Sequence, residues 1–177
     1  STYALQNLIA QYGQITVQVQ KVGEATYDIV FIDAAGNKID QISDSLAFTM
    51  PAPNEMATVF ATYSGGSDNW GGQFDGANKT IEFSTPYSGK YEIIDNAADI
   101  KDITELDQQT SDAIKFMVSK GYFAVDESGN FNPDETLNRY MFVEALVRMF
   151  FTTDHTLTTT FTDVPEDSPY YTYVASG

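Results

Sequence analysis

KYEIIDNAADIKDITELDQQTSDAIKFMVSKG, residues 90–121, changes its period part-way along. Up to Asp95 it reads as a strand, with Tyr91 and Ile93 separated by Glu92. Further on, Ile114, Met117, Val118 and Gly121 fall at the i, i+3, i+4, i+7 spacing of a helix. Asp112 and Lys115 lie off that stripe, and Gly121 can close the helix in a left-handed conformation. The stretch therefore divides the 177 residues into a β part, 1–97, and a helical part, 98–177.

The β part is built from short segments. Ile15, Val17 and Val19 alternate with polar residues. TYDIVFID, SLAFTM, ATVFATYS, NWGGQFD, KTIEFS and KYEIID follow, rich in β-branched and aromatic residues. PAPN, GGSD, DGAN and TPYSG have turn composition. About seven strands at this spacing predict an antiparallel sandwich, immunoglobulin-like in outline, with no helix interrupting it.

The helical part has a second amphipathic segment, NRYMFVEALVRMF, in which Phe142, Ala145, Leu146 and Met149 repeat the helical spacing. Two such helices joined by a loop predict a helical hairpin over 98–160. Residues 161–177 begin a second copy: Ile100-Lys101-Asp102-Ile103 matches Phe161-Thr162-Asp163-Val164, and Ile114 matches Val174. That copy stops inside its first helix and reads as truncated. With no initiator Met and no leader, the chain reads as a processed protein or an excised piece.

Composition excludes several functions. The net charge is −16, about evenly shared between the parts, which argues against nucleic acid and against docking on an anionic membrane. Cysteine is absent, which fits an extracytoplasmic bacterial protein. No apolar run approaches a membrane span. His155 is the only histidine, in the Thr-rich TTDHTLTTT linker, too little for a zinc site or a rigid catalytic triad. DESGNFNPDE (126–135) fails as a calcium-binding EF-hand loop, because Phe131 and Leu137 stand where Gly and Glu are needed. Neither metal nor cofactor is expected, and the chain reads as non-catalytic. Trp70, near the Gly-rich SGGSDNWGGQF hairpin, would stack on a sugar if exposed, although a lone tryptophan in a sandwich more often belongs to the core.

Ile-x-Asp-Ile and Phe-x-Asp-Val, a helix ending in Lys120-Gly121, the loop SGNFNPDETLNR and the apolar helix after it resemble the S-layer homology (SLH) domain of bacterial surface proteins. The β part loosely resembles modules that precede SLH repeats in Gram-positive bacteria. The resemblance implies a secreted protein of the cell wall or S-layer, tethered by binding an anionic, often pyruvylated, secondary cell-wall polysaccharide. In the family, repeats come in threes, polymer lies in grooves between repeats, and the Arg of a Thr-Arg-Ala-Glu motif is a principal contact. Here that motif is Asn138-Arg139-Tyr140-Met141. By resemblance the polymer-contacting set is Arg139 and Asn138 with the motif aspartates Asp102 and Asp163.

Two departures matter. Asn138 can still cap the helix, but Met141 cannot close the capping box. Arg139 faces the positive end of the helix dipole, so its reason should be tertiary. It either binds an anion or pairs with Asp102, Asp134 or Glu135. With the second copy cut short, the groove is expected to keep at most one wall and to bind weakly or not at all. The Phe142–Leu146–Met149 stripe is expected to be covered by the sandwich or by another copy of the chain. Two further readings stand beside anchoring: a carbohydrate-binding or adhesive sandwich merely tethered by the helices, and an accessory domain of an enzyme.

Overall fold

The computed structural model describes residues 2–151, 153 and 157–176. The chain begins with a helix, α1 (Thr2–Tyr12), which the sequence reading did not expect. Gly13 ends it at φ +72°. Leu8 is buried in the β core, and α1 lies along one of the sheets.

Among the described residues nine strands follow in two antiparallel sheets. The larger runs in the order β1 (Thr16–Lys21), β2 (Thr26–Ile32), β9 (Gly89–Asp95), β5 (Ala57–Tyr63), β6 (Gly66–Asn69), with the two-residue β3 (Lys38–Ile39) also on β2. The smaller runs β4 (Gln41–Pro51), β8 (Thr80–Tyr87), β7 (Gln73–Asp75). Alternate residues of β2, β5, β8 and β9 turn inward. Ile29, Phe31, Val59, Ile81 and Tyr91 are fully buried in one core. Two segments with turn composition are strand instead. GSDN pairs with β5, Phe60 opposite Asn69, and Thr85-Pro86-Tyr87 completes β8. Thr85 makes that possible: its Oγ1 accepts from the Tyr87 N–H and meets the Tyr91 hydroxyl at 2.7 Å inside the core.

Beyond Asp95 a small second core gathers Ile100, Ile103, Ile114 and Val118, with Phe123 and Phe131 against it. It holds α2 (Gln108–Ser119), whose first turn is capped by Asp107 accepting from the Thr110 N–H. Gly121 follows the helix at φ +74°. Then come α3 (Arg139–Phe150) and the short α4 (Tyr171–Ser176).

The helix most closely packed on α3 is α4. Tyr140 stacks on Tyr170 at 5.7 Å, and the Arg148 guanidinium lies 4.5 Å over Tyr173 while donating to its hydroxyl. The expected apolar stripe is corrected. Ala145 and Val147 are the buried residues of α3, whereas Phe142 is 53% exposed and Phe150 72%. Neither the sheets nor α4 covers that face.

The two parts interlock. Lys120, at the end of α2, is buried against β5 and donates from Nζ to the Ala57 carbonyl. Asn96 and Asn69 both donate to the Ser119 carbonyl, at 2.7 and 3.4 Å.

Candidate polymer-binding groove

The groove is assembled by two loops and a helix start. Asp126 folds the first loop on itself, accepting from the N–H groups of Ser128 and Asn130. Those bonds, that of Asn130 foremost, hold its carboxyl below the usual carboxylate range. Asp102 then fastens the loop to the segment before α2. Its two oxygens accept from the N–H groups of Phe131 and Asn132, at 2.8 and 2.7 Å. Desolvation opposes its ionisation, yet the two backbone donors prevail and its pKa is lowered. Asn132 itself adopts φ +57°, a left-handed conformation that asparagine tolerates. The aspartate of the Ile-x-Asp-Ile motif is thus occupied with scaffolding.

The loop delivers the chain to Asn138, which caps α3 by accepting from the Met141 N–H at 2.9 Å. Arg139 is the first residue of the helix and is exposed. Among the described residues it makes no hydrogen bond and no ion pair. The two ion pairs there are Lys38–Asp40 and Arg148–Glu144. The expected alternatives Asp102, Asp134 and Glu135 do not hold it.

What faces Arg139 is the second motif. A groove of about 290 Å³ has Arg139, Tyr140 and Val143 on one side, and Phe161, Asp163, Val164 and Val174 on the other. The Tyr140 hydroxyl donates to the Asp163 carbonyl at 3.2 Å and ties the walls together. Both walls are therefore present, contrary to the one-walled groove expected. Of the four proposed contacts, Arg139 and Asp163 share the groove. Asn138 sits beside it with its side chain used as a cap, and Asp102 lies apart at the loop.

Residues 99–139 match the family model of the S-layer homology domain. The match takes in Asp102, α2, the fastened loop and Arg139, and ends before the second motif. SLH domains are in general cell-wall anchoring modules, so the match supports an SLH-containing surface protein. No curated protein and no solved structure matches the chain.

Sequence reasoning missed a larger cavity of about 500 Å³ on the opposite side of the start of α3, lined by Tyr122, Phe123, Phe131, Met141, Arg148 and Tyr170. Its lining comes from four separate stretches, and nothing in their local pattern announces it. Trp70 is not presented to solvent as a platform. It packs among Tyr63, Tyr87 and Tyr91, with ring centroids 5.2–6.1 Å away. Among the described residues no three His, Asp or Glu side chains gather as metal ligands, and no helix is long and apolar enough to cross a membrane. His155 lies outside the described residues.

Proposed function

We propose that this chain is a non-catalytic, secreted surface protein that grips an acidic cell-wall polysaccharide in the groove between Arg139 and Asp163. The supporting observation is the guanidinium of Arg139, without a partner among the described residues and held at a capped helix start opposite the second motif. The fork fits a carboxylate such as a pyruvate ketal. Asp163 across the groove suits a neighbouring sugar hydroxyl as donor. An acidic sugar offers both groups on one ring. The two-sheet part, immunoglobulin-like in outline, acts as a spacer. The exposed Phe142, Leu146 and Phe150 form the face on which a further repeat or another copy would pack.

The test is titration of the 177-residue chain with purified wall polysaccharide, before and after chemical removal of its acidic substituents. One charge-assisted contact is worth about 1.5–3 kcal/mol. Binding is therefore expected to be weak but measurable, and about tenfold or more weaker in Arg139→Ala. Equal binding by the variant, or by polymer stripped of acid groups, would refute this assignment.

A further inference from the structure

We propose that strand β1 is a homotypic interface, on which a second copy of this chain adds its own β1 antiparallel to form one sheet continuous across two molecules. This does not rest on the polysaccharide reading.

Val17 lies opposite Phe31 and Val19 opposite Ile29. Directly opposed residues share a face, so both valines point to the core side of the sheet, where Phe31 and Ile29 are fully buried. Yet Val17 is 39% and Val19 48% exposed. The six-stranded sheet is wider than the three-stranded sheet packed on it, and β1 overhangs. Every residue of β1 is exposed. Beside the overhang is an apolar notch of about 260 Å³ between α1 and β1, lined by Leu8, Ile9, Ile15, Val17 and Leu46.

Open edges normally carry protection: shortness, charges, proline or an irregularity. The other three edges have it. β6 spans four residues and carries Asp68, and β7 spans three and carries Asp75. β4 carries Asp44 and Pro51 and breaks register between Gln41 and Leu46. β1 pairs with β2 without a break over six residues, and its one charge is the terminal Lys21.

Charge selects the occupant. The chain carries −16, yet residues 1–20 contain no Asp, Glu, Lys or Arg. Two copies repel wherever their acidic surfaces approach within roughly the 8 Å screening length. The α1–β1 surface is where an equally acidic molecule can come close. A basic partner would gain more elsewhere on the molecule. A two-fold axis through Gln18 places Val17 of each copy against Val19 of the other, on the side left open by the smaller sheet. The isologous pairing closes at two copies.

The experiment is sedimentation velocity of the chain over a wide concentration range at physiological salt. A concentration-dependent doubling of mass is expected. Val19→Lys removes the Val17–Val19 contacts and sets two cations diagonally across the new edge, about 7–8 Å apart, and should weaken the dimer by about tenfold or more. The position is already half exposed, and the melting curve checks that the variant folds. The natural chain has no cysteine, so Gln18→Cys gives a single-thiol probe. Opposed residues in an antiparallel pair come within disulfide range. Mild oxidation should trap the Gln18→Cys dimer and leave a Gln73→Cys control on β7 monomeric. A monomer at every concentration would overturn the proposal. So would a dimer that survives Val19→Lys and escapes trapping at position 18, since that association would run through another face such as α3.

Discussion

Lys120 shows what one residue does between the two parts. Its charged head ends in a buried position against the Ala57 carbonyl, with Glu55 near enough to attract it. Desolvation outweighs that attraction and lowers its pKa from 10.5 to about 8. Between those values the unfolded chain binds more protons than the folded one, so stability should rise as pH climbs from about 8. Tyr63 and Tyr91 set the upper limit. Desolvation raises both, so above pH 10 the unfolded tyrosines ionise first and stability falls again. Urea unfolding from pH 7 to 10 is expected to show increasing stability, and Lys120→Met should flatten the rise. A decline over that range in the natural chain but not in the variant would contradict the burial argument. The sequence shows Lys120-Gly121 as a helix end because that signal is local. It hides the burial, because the acceptor is 63 residues away. Asn138 as a cap was legible for the same local reason. That Arg139 has no partner among the described residues was not, since Asp134 and Glu135 close by and the motif's Asp102 all offered themselves.

At the scale of elements, period was a good guide to strands and a poor one to their neighbours. β2, β5, β8 and β9 bury the residues their alternation marks. The first helix was nevertheless visible, since Leu5, Leu8, Ile9 and Tyr12 keep the helical spacing. The glycine and asparagine of β6 concealed a strand whose pairing, not its composition, makes it one. Of the helical stripe of α3 Ala145 is buried, whereas Phe142 and Leu146 are exposed, because the helix is gripped through Ala145 together with Val147 and Arg148, which lie off the stripe. The loop between α2 and α3 gives the prediction at this scale. Asp102 and Asp126 both have lowered pKa values, so their contribution is present above the unfolded value near 3.8 and is lost as pH falls through the folded one. Relative to the intrinsic rate at each pH, the Phe131 and Asn132 amides should be protected from exchange at neutral pH and should lose that protection only as pH falls below the unfolded value near 3.8. Asp102→Asn should lower their protection at all pH values. Unchanged protection in that variant would deny Asp102 its fastening role.

Taken whole, the molecule does not separate at residue 97 as cleanly as its change of period suggests. Ile100 and Ile103, just past that boundary, are 4% and 2% exposed, and Asn96 is bonded to the end of α2. A protease should therefore spare residues 95–110 in limited digestion, and an early cut there would show that the two parts are not interlocked. The groove has another consequence, which is mechanical. Its walls come from opposite sides of the TTDHTLTTT segment: α3 before it, the Phe161–Val164 motif and Val174 after it. On the proposed function, a polymer seated there would act as a rivet between α3 and the second motif. Traction on a tethered cell would have to shear the rivet before the second motif could peel from α3. In single-molecule pulling, rupture of this joint is expected at higher force with polymer bound than without, and an identical force in both states would show that the strand bears no load.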